Sequence, residues 1–315
     1  MNGARPKAAL TLGPVLFHWN PERWRDFYFK IADEADIDSV YVGEVVCAKR
    51  LPSYEKYIAP VAERLSRAGK EVVLSSLALA LSARESAAIA ALAEDDASGY
   101  PIEINDMFAA ARLKGRPHMV GPFVNCYNEG TLAFLARMGA VRVALPAELP
   151  AAAIAPLAGA GLAEIEIQAF GRMPLALSAR CYHARSRGLS KDGCQYVCAE
   201  DPDGMDVETM DGTPFLAVNG IQTMSFRYAN LLRELDPLRA LGVTRFRLWP
   251  QGCDMVAVAA LFRAVLNGTL DPEAASEQLA DLVPEAEFAN GYVHGRAGHA
   301  QVTETDGTPF PLSWS

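Results

Sequence analysis

Only six of the 315 residues are cysteine. That is too few for a secreted scaffold held together by disulfides. Long apolar runs are also scarce. The alanine-rich stretch from Pro150 to Leu162 is among the longest, and it falls short of the roughly 20 residues needed to cross a bilayer. An integral membrane protein is therefore not expected. Positive charge is in deficit: 29 Lys and Arg face 38 Asp and Glu, a net charge of -9. Phosphate neutralisation needs clustered cations, so no nucleic-acid partner is expected. The first residues, MNGARPKAALTLGPVLFHWN, carry Arg5 and Lys7 but only a short apolar segment before Gly13 and Pro14. A secretory leader would have a longer apolar core and a small-residue cleavage site. The expected location is cytoplasmic. In a reducing compartment cysteines serve as buried apolar residues, metal ligands or reactive thiols. There is no GxGxxG, P-loop or HExxH motif, no serine in a nucleophile elbow, no charge run and no low-complexity segment.

What is present is a chain that is 50% hydrophobic and 21% charged, the makeup of an ordinary globular protein. Apolar β-type runs occur at Ala8–Leu12, Ser39–Gly43, Glu71–Leu77, Ile102–Asn105, His118–Val120, Val141–Leu145 and Glu164–Ala169. The stretches between them predict helices at Pro21–Ala35, Ser53–Ala68, Ala83–Glu94, Met107–Leu113, Asn128–Met138 and Pro150–Ala158. Asn20, Ser82 and Asp106 stand where N-caps belong, and Pro21 takes the first helical position. Gly159 stands where the sixth helix should stop. An eighth strand, Arg245–Pro250, precedes a helix from Asp254 to Asn267. Repeated βα units imply a parallel sheet, and eight of them favour a closed barrel.

The expected fold is thus α/β, a (β/α)8 TIM-like barrel with an inserted small β-containing subdomain after strand seven. Residues 1–170 hold the first seven strands and their helices. Residues 171–236 form a cysteine-bearing insertion, and 237–315 hold the last strand and helix plus a C-terminal tail. Inside the insertion, Gln195–Ala199 and Pro214–Val218 read as short antiparallel strands. The segment Asp201–Asp206 is acidic but lacks EF-hand spacing and reads as a turn. Phe17, Trp19, Trp24, Phe27 and Phe29 are expected to pack in the core.

In such a barrel the chemistry sits at the C-terminal ends of the strands and in the loops after them. Cys47 follows strand two. Cys181, Cys194 and Cys198 share an 18-residue window of the insertion. Folded over the barrel mouth, the insertion would bring all four thiols together. Four thiolates suit zinc or an iron–sulfur cluster, and one ligand from a distant strand is less typical of a structural zinc module. Cys126 and Cys253 have no sequence partner and read as buried apolar residues. His183 reads as a neighbour of the ligand set. Glu44, Asn105, Asn125, Arg172 and Arg180 are candidate substrate-binding residues. The two arginines can pair bidentately with a carboxylate, and the others bring hydrogen-bonding groups to the rim. No catalytic residue is assigned.

Four segments resemble motifs of the collagenase-like U-type peptidase family. They are GEVVCAKR (Gly43–Arg50), EINDMFAAARL (Glu103–Leu113), GPFVNCYNEGTLAFLARMGAVRVALPAEL (Gly121–Leu149) and EIQAFGRMPLALSARCYHAR (Glu166–Arg185). The last of these, with GCQYVC (Gly193–Cys198) after it, is most similar to the members that serve oxygen-independent ubiquinone biosynthesis. The similarity runs from Leu12 to about Phe262. It implies a 4Fe-4S cluster on Cys47, Cys181, Cys194 and Cys198. Four protein thiolates would fill every iron corner, which favours a redox or structural role. The resemblance also implies a heterodimer with a UbiU-like paralogue, help from a UbiT-like lipid-binding protein, and anaerobic hydroxylation of a ubiquinone precursor ring. RNA-hydroxylating relatives use prephenate as hydroxyl donor, which implies a similar donor here. The alternatives are a U-type peptidase, an RNA-hydroxylating relative and a non-catalytic cluster-bearing partner subunit. No nucleophile–base pair supports the peptidase, and the acidic balance counts against RNA.

Overall fold

The computed structural model describes residues 8–303 apart from 96 and 114. The leader expectation rests partly on residues 1–7 and the expected tail reaches 315; residues 1–7 and 304–315 lie outside the described residues.

The chain opens with β1 (Ala9–Leu12), α1 (Pro21–Glu34), β2 (Ser39–Val42), α2 (Leu51–Arg67), β3 (Glu71–Ser75) and α3 (Ala83–Glu94). It continues with β4 (Ile102–Ile104), α4 (Met107–Leu113), β5 (His118–Val120), α5 (Glu129–Arg137), β6 (Ala140–Ala144) and α6 (Ala151–Gly159). Local chemistry starts these helices. Asn20 Oδ1 accepts from the N–H groups of Glu22 and Arg23 at 2.9 and 3.2 Å. Ser82 Oγ accepts from Glu85 N, and Asp106 Oδ1 from Phe108 N. Each satisfies donors that the first turn leaves unpaired.

The seventh strand departs from the expectation. It does not end at Ala169, and β7 runs unbroken from Glu164 to Leu177. It therefore crosses the expected boundary at 170 and leaves the barrel. Gly171 lies at the crossing with φ of +100°, and a Cβ there would meet Trp249 and Gln251. Beyond it come α7 (Tyr182–Ser186), β8 (Met205–Glu208), β9 (Pro214–Asn219) and β10 (Gln222–Asn230). Strand β10 pairs antiparallel with the outer half of β7, β9 with β10, and β8 with β9. The insertion is thus a sheet grown from a barrel strand. Gln195–Ala199 is not a strand. Gln195 and Tyr196 take left-handed backbone (φ +49° and +57°), and Val197–Ala199 form a short 3-10 turn. Two residues in that conformation reverse the chain and end any β run.

The chain then returns through α8 (Leu235–Ala240), β11 (Arg245–Leu248), α9 (Met255–Leu266), α10 (Pro272–Leu282) and β12 (Phe288–Ala289). Strand β11 pairs in parallel with both β1 and β7. Strands β1 to β7 and β11 therefore close into an eight-stranded parallel barrel. Among the described residues no helix is long and apolar enough to cross a membrane.

The two faces of the barrel wall differ. Outward residues such as Leu10, Val40, Val72, Ile104, Val143, Ile165 and Phe246 join one apolar core with the helices. Phe17, Trp19 and Trp24 are buried in that core as expected, and Phe27 and Phe29 are half-buried against it, with Trp19 against Phe27 at 5.2 Å and Trp24 stacked on Tyr54. The alternate residues point inward by the two-residue period of a strand. They include Thr11, Tyr41, Glu103, Arg142, Glu166 and Arg247, all buried. Barrel interiors are usually filled by branched apolar side chains, whereas this one is threaded by ion pairs.

Candidate functional site

The loop after β2 presents Cys47. Glu44, buried just before it, uses Oε1 to accept from the N–H groups of Val46 and Cys47 at 2.8 and 2.9 Å. That carboxylate shapes the turn that carries the cysteine. The insertion supplies the rest. Cys181 stands at the N-terminus of α7 and accepts from Ala184 N, while Cys194 and Cys198 flank the left-handed turn. All four cysteines line one hollow of ≈ 20 Å³, together with Lys49, Arg50, Lys191, Tyr196 and Gly220. Cys126 and Cys253 lie elsewhere, Cys126 buried in the main core and Cys253 packed against it. All six are free thiols. Among the described residues, no three His, Cys, Asp or Glu are gathered closely enough to hold a single metal ion.

The chemistry around the hollow suits an anionic sulfur-rich group. Burial pushes the Cys47 and Cys198 thiols up, and Arg50 pulls both the other way. Arg50 is 1% exposed and bonds Leu16 O at 3.1 Å and Asn219 Oδ1 at 2.7 Å. Its Nε has no partner, and its Nη1 lies 3.9 Å from the Glu44 carboxylate. Lys49 Nζ ties the cysteine loop to the rim through the carbonyls of Lys191 and Asp192 at 2.6 and 3.0 Å. The donors and counter-charges therefore fit a four-thiolate cluster. The hollow is small, and residues 190–196 beside it are mostly exposed. His183 is buried two residues from Cys181 and bonds Asp201 through Nε2 at 2.8 Å. It braces the insertion.

A second concave region lies at the barrel mouth, above the ion pairs. Arg247 donates from Nε to Glu166 at 2.9 Å, and from Nη2 to Glu166 at 3.0 Å and Glu103 at 2.6 Å. Its guanidinium lies 4.0 Å from the Tyr41 ring centre. Burial works against the Arg247 charge, but Glu103 and Glu166 outweigh it and hold the guanidinium protonated. Below, Arg142 reaches Tyr41, Glu71 and Glu164. Above, a pocket of ≈ 260 Å³ is bounded by Arg247, Gln168, Trp249 and the loops after β5 and β6, with the outer part of β7 across it. None of Glu103, Arg142, Glu166 or Arg247 was singled out from the sequence. A signal existed. Each stands at an alternate position in a strand whose other face must meet helices.

The remaining candidates fall as follows. Asn105 is buried; its N donates to Ser76 Oγ and its Nδ2 to Ser76 O and Glu103, leaving Oδ1 without a partner. Asn125 is exposed in left-handed backbone and lines the mouth pocket. Arg172 spends its guanidinium on the carbonyls of Ser225 and Phe226 and packs over Phe226 and Tyr228, which ties β7 to β10. Arg180 is exposed past the end of β7.

The model of the family described as peptidase family U32 matches residues 23–303. Among solved structures, the chain is similar to the U32 peptidase Mk0906, at 12% identity and a TM-score of 0.44, covering 80% of this chain and 96% of that one. It is also similar to phospho-2-dehydro-3-deoxyheptonate aldolase from Thermotoga maritima, at 10% identity and a TM-score of 0.40, covering 89% of this chain and 72% of that one.

Proposed function

The chain belongs to peptidase family U32, and on that premise we propose that it is a UbiV-like iron–sulfur subunit of an oxygen-independent hydroxylase of the ubiquinone precursor ring. One observation carries the reading. Cys47 from the barrel rim and Cys181, Cys194 and Cys198 from the insertion line a single hollow, and the two remaining cysteines do not. Those four would hold a 4Fe-4S cluster. When bound, such a cluster supplies one-electron chemistry at a potential set by charge, hydrogen bonding and exposure. Arg50 and Lys191 are the near cations that would offset its charge, and Glu44 holds the Cys47 turn. A UbiU-like paralogue is the proposed heterodimer partner, with a UbiT-like protein presenting the lipid precursor and prephenate as the oxygen donor.

The test is metal analysis of anaerobically purified protein. About four iron and four sulfide per chain and a brown colour are expected, with Cys194→Ala bleached. A colourless chain holding one zinc overturns the cluster. Ring hydroxylation assayed with each subunit alone and together separates a catalytic role from a merely stabilising one. Proteolysis that survives loss of the cysteines would favour a peptidase.

A further inference from the structure

A third concave region lies on the outer side of the barrel wall, between α2 and α3. Helix α2 packs on α1 and α3 on α4, but α2 and α3 stand apart. The gap is a pocket of ≈ 500 Å³, within the usual range for a small-molecule site. Leu51 and Ile58 from α2, Ile89 and Leu92 from α3, and Leu74 and Leu77 from the end of β3 and just beyond it give apolar walls. Glu44 lines the same pocket and is only 3% exposed. Its two oxygens are used unequally. Oε1 accepts from the Val46 and Cys47 N–H groups, with Arg50 Nη1 at 3.9 Å, too long for a hydrogen bond. Oε2 has no partner among the described residues, yet it keeps accessible surface, unlike the sealed Asn105 Oδ1. A carboxylate oxygen held in so buried a residue without a donor is costly. At the edge of the pocket stand Glu55, Asp95 and Arg84, all exposed. Three carboxylates thus line it against one guanidinium.

We propose that the pocket between α2 and α3 binds an apolar primary amine, its ammonium on Glu44 Oε2 and its hydrocarbon body between the two helices. A hydrogen bond from an ammonium to a carboxylate is charge-assisted and stronger than one from a neutral donor. The acidic lining attracts a cation and repels an anion. The site shares no lining residue with the barrel mouth or with the cysteine hollow. It meets the hollow only through Glu44, whose other oxygen holds the Cys47 turn. The inference goes beyond the proposed function and does not depend on it, since the amine needs no iron to bind.

Calorimetric titration of the anaerobically purified full chain with octylamine, 1-octanol, octanoate and butylamine tests the site. Octylamine should bind at least about tenfold more tightly than octanol, because its hydrogen bond to Glu44 is charge-assisted. It should exceed butylamine by at least about tenfold as well, because its longer chain takes more apolar surface out of water. Octanoate should bind more weakly than octanol. Ala88→Phe, which puts a ring into the pocket from α3, should abolish octylamine binding while iron content and melting temperature stay at wild-type values. Should that variant unfold, Ala91→Phe, from the exposed side of the same helix, decides in its place. Glu44→Gln should bring octylamine down to the affinity of octanol. Equal binding of octylamine and octanol by the wild-type chain overturns the proposal, as does tighter binding of octanoate or no binding of octylamine. Wild-type affinity in Ala88→Phe overturns the location. Iron is measured in the same samples. An iron-loaded chain that ignores octylamine removes the site alone, and an iron-free chain that binds it removes the cluster alone.

Discussion

Glu166→Gln should destabilise the barrel in a pH-dependent way. Glu166 is fully buried; Oε1 accepts from Thr11 and from Arg247 Nε, and Oε2 accepts from Tyr41 at 2.8 Å and Arg247 Nη2 at 3.0 Å. Burial alone would raise its carboxyl. Arg247, Arg142 and Thr11 outweigh burial and hold the pKa down at about 2, against an ordinary 4.5. That gap corresponds to roughly 3 kcal/mol of stability at neutral pH. A depressed carboxyl contributes fully above its unfolded value, and the contribution fades as pH falls from about 4.5 toward about 2. A separate estimate agrees, since removing one partner from a buried ion pair costs about 3–5 kcal/mol. Glutamine keeps the shape and loses the charge. Urea unfolding at a series of pH values should therefore show the variant roughly 3 kcal/mol less stable at pH 7, with the gap closing below about pH 4.5. Comparing the two chains cancels whatever they share. A gap that is absent at pH 7, or that stays constant down to about pH 3, refutes the reasoning.

Gly220→Ala should lower the melting temperature, at a cost of about 1–3 kcal/mol. The glycine has φ of +71°, and a Cβ would overlap Arg50 Nη2, which Asn219 Oδ1 holds at 2.7 Å. Because Arg50 lines the cysteine hollow, iron content should fall as well, by anaerobic metal analysis. Cys126→Ala and Cys253→Ala should leave iron content unchanged, since neither side chain reaches the hollow; loss of iron in either variant would break the ligand assignment.

Much of the barrel was legible because its signals are local. Ser82 and Asp106 cap α3 and α4 at the predicted residues, and β5 lies where its apolar run predicts. Helix α10 was overlooked although Asp271 and Pro272 form a standard start, with Asp271 capping Glu273 N and Ala274 N. The outer half of β7 was not legible, because its partner β10 begins at Gln222 and only the paired sheet makes a strand of residues 170–177. The reversal at Gln195 and Tyr196 is likewise a backbone choice that composition does not reveal.

By itself the sequence determined the order and type of the barrel elements, through caps, glycines and periodicity that act within a few residues. It also set the four cysteines apart from the other two. Which groups meet was decided only by the tertiary structure. Thr11 meets Glu166 across 155 residues, and Glu103 meets Arg247 across 144. Nothing local links such residues. They share an axis only because β11 closes the ring against both β1 and β7, which turns every inward alternate position toward the same buried space.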